Sequence, residues 1–355
     1  MKLSVADGAG MRFYRGRAAK AVSKLGEAMN RLTIVFAGLF LLLYRTDVFA
    51  ASWDTVVFRD DFNAPVGGMP DAGSWVVNNP GNSWRTLGRT HFPDPLSTTG
   101  PFPRIEQQGA DQFCVIEHHL YNPWDLGDPN TWFLGGEIHT VQEFDATRAH
   151  RFEARVRSNP IPDGLVTSFF TYGFDGAKSD EIDFEFVSNK TNDDVTYPNG
   201  DPVLTNTYNE SFQKPQFVAP EGLDLTTWNT FRIYWYPSLR RIDWTWVDPI
   251  NGETLLRTED DVFFVPDEKM ALYFNFWAPC YTSWVHDCDP WDDAADANLQ
   301  PVNDPSQNEI YRYEIDHVEV RVQSEATPAA SNWALVAVAV LVMATGRLLI
   351  TRRRS

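Results

Sequence analysis

The stretch Asp180-Glu181-Ile182-Asp183-Phe184-Glu185-Phe186 decides how this chain is read. From Glu181 onward acidic and apolar residues alternate strictly, which is the two-residue period of a β-strand. Ile182, Phe184 and Phe186 share one face, suited to a core, while Glu181, Asp183 and Glu185 share the other. Like charges on one face repel, and a strand shaped only for solubility would intersperse Lys, Thr or Ser. Three readings of that face are open at this point: a solvated acidic strand, a carboxylate metal cage, or a set of carboxylates that does acid–base chemistry. The last has a geometric basis. Glu181 and Glu185 are four residues apart, about 13 Å at Cα for ~3.3 Å per residue. Side chains leaning together on a curved sheet bring the carboxyl groups to roughly 5–6 Å, the separation that retaining cleavage of a glycosidic bond requires. Asp183 between them can hydrogen-bond a neighbour and split the two proton affinities.

Outward from this segment the pattern is all-β. Short runs rich in aromatic and β-branched residues recur at Phe113–Ile116, Arg151–Val156, Leu165–Tyr172, Phe231–Tyr236, Ile242–Val247, Met270–Trp277 and Tyr311–Val322. Gly, Pro, Asn and Asp punctuate them, and Asp248-Pro249-Ile250-Asn251-Gly252 reads as a hairpin turn. No internal repeat and no long helical period interrupts residues 52–325, so the runs predict one sandwich of two antiparallel sheets. Long connections at Asn79–Pro103, Asn189–Val203 and Cys280–Pro305 exceed the usual loop length and are assigned to the rim of the site.

The two ends of the chain differ from its middle. Residues 1–51 combine basic residues, the apolar run Leu32–Tyr44 and the exit Val48-Phe49-Ala50-Ala51, the three parts of a secretory signal, with Met29 an alternative start and a retained N-terminal anchor the competing reading. Residues 324–331 form a Ser/Ala/Thr/Pro-containing tether, and 332–355 hold a second apolar run, Trp333–Ile350, closed by Arg352-Arg353-Arg354. With Arg347 snorkelling to the headgroups this run can just span a bilayer, which places residues 52–323 outside the cytoplasm, exported and held at the cell surface. The 18 basic and 45 acidic residues of the middle give a net charge near −27. Such a surface repels nucleic acid and polyanions. A neutral glycan fits it, and the 13 Trp, 12 Tyr and 24 Phe supply faces for sugar rings. Cys280 and Cys288 are close enough in sequence to pair, leaving Cys114.

The segment Glu181-Ile182-Asp183-Phe184-Glu185-Phe186 resembles the signature strand of glycoside hydrolase family 16, in the unbulged form typical of its lichenase-like and xyloglucan-active branches. The resemblance extends over residues 55–322. Phe58-Arg59-Asp60-Asp61-Phe62-Asn63 resembles the opening strand. Gly135-Gly136-Glu137-Ile138-His139-Thr140 and Arg151–Arg157 resemble the paired strands before the signature, and Gly164–Tyr172 the segment leading into it. Thr205-Asn206-Thr207-Tyr208 and Leu272-Tyr273-Phe274-Asn275-Phe276-Trp277 resemble later cleft strands. The residues around Thr327–Trp333, the apolar run and the terminal arginines also resemble a bacterial sorting signal of the PEP-CTERM type, without its Pro-Glu-Pro element.

The resemblance implies a jelly roll of the concanavalin A-like lectin/glucanase type with a catalytic cleft on its concave face. It implies β-glucans as the substrate class, a monomer, Glu181 as nucleophile, Asp183 as assisting residue and Glu185 as general acid/base. Glu153, Arg155, Phe170, Tyr172, Asn206, Tyr208, Asn275 and Trp277 are expected to line the cleft. Catalysis needs no cofactor. Asp316 resembles the aspartate that helps to hold a structural calcium on the convex side of many relatives. Transglycosylation on the same glycans, a non-catalytic carbohydrate-binding sandwich and a calcium-dependent adhesin are the competing functions. The acid-rich Asp287–Asp296 lacks the Gly and Glu of a calcium loop, and Cys280, His286 and Cys288 lack a fourth zinc ligand.

Overall fold

The apolar face of each alternating run becomes one wall of a shared interior. The computed structural model describes residues 52–81, 86–96, 98–123, 133–188, 203–210, 212–279 and 299–324. The leader, the C-terminal apolar segment with all but the first residue of its tether, Cys280, His286, Cys288 and Asp287–Asp296 lie outside the described residues.

The strands in chain order are β1 (Thr55–Asp60), β2 (Trp75–Val77), β3 (Thr86–Leu87), β4 (Thr90–His91), β5 (Arg104–Gln108), β6 (Asp111–His119), β7 (Phe133–Leu134), β8 (Gly136–Phe144), β9 (His150–Ser158), β10 (Val166–Phe174), β11 (Ser179–Val187), β12 (Val203–Asn209), β13 (Phe212–Gln213), β14 (Gln216–Val218), β15 (Asn229–Tyr236), β16 (Arg241–Asp248), β17 (Gly252–Glu259), β18 (Met270–Trp277) and β19 (Ile310–Val322). Each run singled out in the sequence lies in one of them, apart from Leu165, which precedes β10 by one residue, and Asp248–Gly252 is the β16–β17 turn, with Gly252 at φ 83°.

One sheet has eleven strands, ordered β17-β16-β15-β9-β19-β6-β7-β4-β3 with β1 on β19 and β5 on β6. The other has eight, ordered β13-β12-β11-β10-β18-β8-β2 with β14 on β12. Pairing is antiparallel throughout apart from β4 with β7. The strand bearing the three acids, β11, is interior to the eight-stranded sheet, between β10 and β12. Both of its neighbours therefore fix its register, and its side chains have no freedom to exchange faces.

The core lies between the sheets. Ile182 and Phe184 are fully buried and Phe186 nearly so. Phe184 stacks on Phe169 of β10, which stacks on Phe274 of β18. From the opposite sheet Phe231 meets Phe184 at 5.2 Å and Phe186 at 4.7 Å. Trp235 and Trp244 are fully enclosed, and their indole N–H groups donate to the carbonyls of Pro266 and Asp183. Cys114 is a buried free thiol in the same core.

Replacing Phe184 by Ala removes a ring packed from both sheets. The expected cost is about 3–5 kcal/mol, read as a fall in the urea midpoint with an unchanged m-value. A cost under about 1 kcal/mol would mean that β11 is not anchored through this ring.

Candidate functional site

Antiparallel partners point to the same side of a sheet, so the register orders the acidic face of β11 into cross-strand rows. In the first row Tyr208, Glu181, Tyr172 and Ala271 stand side by side. In the second are Asn206, Asp183, Phe170, Tyr273 and His139. The third holds Leu204, Glu185, Ser168, Asn275 and Glu137. A fourth row, Val187, Val166 and Trp277, lies beyond Glu185. None of these positions is Lys or Arg.

Six of the eight expected lining residues, Phe170, Tyr172, Asn206, Tyr208, Asn275 and Trp277, thus share the face of the three acids. Glu153 and Arg155 do not. They lie on β9, which pairs with β15 and β19 in the eleven-stranded sheet, and they bond there to Arg232 and Asp316. The segments Gly136–Phe144 and His150–Ser158 are neighbours in sequence but enter different sheets, so they are not paired strands. Alternation gives the face of a strand; it does not give the sheet. Ser168, Tyr273, Leu204, Glu137 and His139 were not anticipated, although continuing the alternation from Phe170 and Asn275 leads to Ser168 and Tyr273.

Rings dominate the second row. His139 stacks on Tyr273 at 4.5 Å and Tyr273 on Phe170 at 5.1 Å, with Tyr172 edge-on to Tyr273. Trp277 is less open than a sugar platform would be. Only 5% exposed, it packs in a dry cluster with Phe92, Val166, Val187 and Leu204. Gly88 (φ 54°) lies against it; a Cβ there would fall 2.9 Å from the indole and 2.3 Å from the Ala278 carbonyl oxygen. Three buried polar atoms on or beside the third row, Ser168 Oγ, Asn275 Oδ1 and Trp277 Nε1, make no hydrogen bond among the described residues. Buried polar groups are normally paired, so these atoms are suited to the hydroxyls of a ligand.

Burial and mutual repulsion set the protons on the acids. Burial pushes Glu181 up to about 7, against a hydrogen bond with Asp183 that lowers it, and the charge of Glu137 raises it further. Burial, and then the charge of Glu181, push Glu185 up to about 8. Asp183 rises well above the carboxylate range through burial first, then through the charges of Glu181 and Glu185. The hydrogen bond between them lowers Glu181 and raises Asp183. All three acids on the face are raised, burial being the largest cause for each, so the face holds protons more readily than free carboxylates do.

The calcium implied at Asp316 does not fit the residues present. Asp316 Oδ2 accepts from Arg155 Nη1 at 2.9 Å and is 3.2 Å from His317 Nδ1. Although burial opposes it, hydrogen bonds from His317 and Arg155 hold Asp316 below its usual range, while the bond to Asp316 is the main cause that raises His317 to about 9. The carboxylate is already neutralised by a guanidinium and an imidazolium, which would repel a dication. Among the described residues no group of three or more His, Cys, Asp or Glu side chains is placed to hold a metal.

A two-layer antiparallel sandwich with an acid-bearing strand inside one sheet is the fold class of sandwich lectins and sandwich glycosidases. Residues 128–290 match the family description "Glycosyl hydrolases family 16". The catalytic domain of an endo-1,3-β-glucanase (laminarinase) from Thermotoga petrophila superposes with a TM-score of 0.51 at 17% identity, over 76% of this chain and 98% of that one. A Bacillus licheniformis β-glucanase gives 0.49 at 20% identity, over 76% and 98%. A Bacteroides ovatus family member, solved in complex with a G4G4G3G product, gives 0.48 at 16%, over 75% and 100%. The likeness is one of fold: a jelly-roll sandwich. No curated protein matches the chain in sequence.

Two outcomes follow. Glu185 has a folded value near 8, above its ordinary 4.5, so the native state prefers the protonated form; that contribution is complete below about 4.5 and is lost as pH rises through about 8. Glu185→Gln should therefore raise the thermal midpoint by roughly 3–6 °C at pH 8.5, about 1–2 kcal/mol in a domain of this size, and leave it unchanged at pH 4. An equal effect at both values contradicts the burial argument. In addition, the wild-type midpoint should be the same in EGTA and in millimolar calcium; a calcium-dependent rise would restore the metal at Asp316.

Proposed function

We propose that this domain is a retaining, endo-acting β-glucan hydrolase working by double displacement, with Glu181 as nucleophile and Glu185 as general acid/base. The observation that carries the reading is the cross-strand register, which puts Glu181, Asp183 and Glu185 on one face of an interior strand among tyrosines, asparagines and unpaired polar atoms. In the first step Glu185 gives its proton to the glycosidic oxygen as the C–O bond breaks, and a Glu181 oxygen takes the anomeric carbon to form a glycosyl-enzyme. Asp183, holding its proton toward Glu181, stabilises that carboxylate before attack and when it departs. Glu185, now a carboxylate, removes a proton from water or from another sugar hydroxyl, which attacks the same carbon and releases Glu181. The second acceptor makes the same machinery a transglycosylase.

Phe170, Tyr172, Asn206, Tyr208, Asn275 and Trp277 are the proposed glycan contacts: the rings of Phe170 and the tyrosines for sugar faces, and the amides, hydroxyls and Trp277 indole N–H for sugar OH groups. A neutral chain suits the acidic surface, and the unbulged spacing of the motif favours mixed-linkage β-1,3-1,4-glucan or xyloglucan-type substrates. The leader and the C-terminal apolar run support an exported enzyme, held or sorted at the cell surface. Catalysis is proposed to need no cofactor, and the domain to act as a monomer.

Hydrolysis of a β-glucan panel tests the assignment. Glu181→Gln and Glu185→Gln should each cost about 10²–10⁴-fold in kcat, and the first-formed product seen by NMR should be the β-anomer. For the wild type kcat/KM should rise as Glu181 ionises near 7 and fall as Glu185 loses its proton near 8, giving a narrow bell whose limbs belong to the coupled group. Full activity in both variants, or an α-anomer released first, would overturn the reading.

A further inference from the structure

The three acids have a second support, behind the strand, that comes from the other sheet. Trp244 of β16 is fully buried and donates from Nε1 to the backbone carbonyl of Asp183 at 2.9 Å. Arg257, opposite Trp244 on β17, lies over the indole with its guanidinium carbon 4.7 Å from the ring centroid. The same guanidinium donates through Nη1 to the Thr205 carbonyl at 2.8 Å and to Thr205 Oγ1 at 3.2 Å, and through Nη2 to Glu259 at 3.0 Å. Thr205 Oγ1 in turn donates to the Gln216 carbonyl, which ties β14 to the assembly. Two stacked side chains from the eleven-stranded sheet thus grip the backbones of two adjacent strands of the other sheet, one at Asp183 and one at the residue before Asn206, its cross-strand partner.

We propose that Arg257 and Trp244 are positioning residues for the site: a cation–π clamp through the core that fixes where Asp183 stands relative to Glu181. This rests on the catalytic reading above. Neither side chain touches the acidic face, so the effect must pass through the backbone. A purely structural role has an available reading, since a buried arginine only 5% exposed could serve packing alone. The placement argues otherwise. Arg257 donates to the β12 backbone beside Asn206 while it stacks on the indole that holds the Asp183 carbonyl, so one cation is tied to both strands of the second row. Spending a buried cation on backbone carbonyls at this point costs desolvation. An apolar side chain would fill the same space, but it could not hold the Thr205 carbonyl or fix the plane of the indole.

The test compares wild type, Trp244→Phe, Arg257→Met and Arg257→Lys in the full-length protein. Methionine keeps the volume of the arginine stem, lysine keeps the charge, and phenylalanine keeps a ring while removing the N–H. If the clamp positions Asp183, Trp244→Phe and Arg257→Met lower kcat about 10–100-fold, as a displacement near 1 Å at a reacting group does, with KM changed less than about 2-fold. The acid limb of the pH–rate profile moves to higher pH, because Glu181 loses part of the hydrogen bond that favours its anion, and Arg257→Lys restores part of both. Falls in thermal midpoint with kcat per folded molecule and both pH limbs unchanged would overturn the proposal. If Arg257→Met does not fold, Trp244→Phe decides alone. The carboxyl carbon resonances of Asp183 and Glu181, titrated in ¹³C-labelled protein, separate this from the function: a wild type that cleaves no β-glucan refutes the hydrolase reading. Titrations identical in wild type and Trp244→Phe refute the clamp whatever the activity.

Discussion

Everything in this domain has to accommodate three carboxylates placed at alternate positions of one interior strand. Each unit by which a carboxyl's proton affinity is raised corresponds to 1.36 kcal/mol between its charged and neutral forms, and all three are raised. The strand tolerates this because its opposite face is committed to burial. Ile182, Phe184 and Phe186 are packed by rings from both sheets. Each such side chain contributes on the order of 1.5–3 kcal/mol on burial. The apolar half of the alternation therefore holds the acidic half in place, and the two patterns are one sequence feature seen from its two sides.

This is also why the sequence could be read so far. A period of two needs no tertiary information, and for β11 it gives the strand, its core face and the acids together. Met270–Trp277 is a strand in the structure with the limits expected of it. What a period cannot carry is partnership. Arg151–Val156 alternates as well as any run, but β9 is captured by β15 and β19, so Glu153 and Arg155 serve the opposite sheet. Asp316 shows the same limit: its counter-charges, Arg155 and His317, are brought to it by that same pairing. Trp244 was illegible altogether, because nothing in Ile242–Val247 shows that one indole N–H reaches a carbonyl in the other sheet.

The distribution of positive charge follows from the same division. Arg59, Arg104, Arg151, Arg155, Arg157, Arg232, Arg241, Arg312 and Arg321 all sit on strands of the eleven-stranded sheet and are paired there with Asp or Glu. Such pairs add little stability one by one, and their greater consequence is placement. A guanidinium beside Glu185 would lower its proton affinity and remove the acid the proposed chemistry requires. With arginines absent from the rows around β11, burial governs the proton there.

The two ends of the acidic face differ in their surroundings. Glu181 stands between Tyr208 and Tyr172 in the register, and its hydrogen bond with Asp183 lowers its proton affinity. Glu185 stands between Leu204 and Ser168, next to the row of Val187, Val166 and Trp277 that packs with Phe92. A polar surround favours the anion and a dry one the neutral acid, while burial is the largest cause that raises both glutamates. In the proposed mechanism the division between nucleophile and acid rests on these unlike surroundings rather than on the acids themselves. The surroundings come from residues one strand away, at positions 166, 172, 204 and 208, which alternate in step with Glu181 and Glu185 on the strands either side.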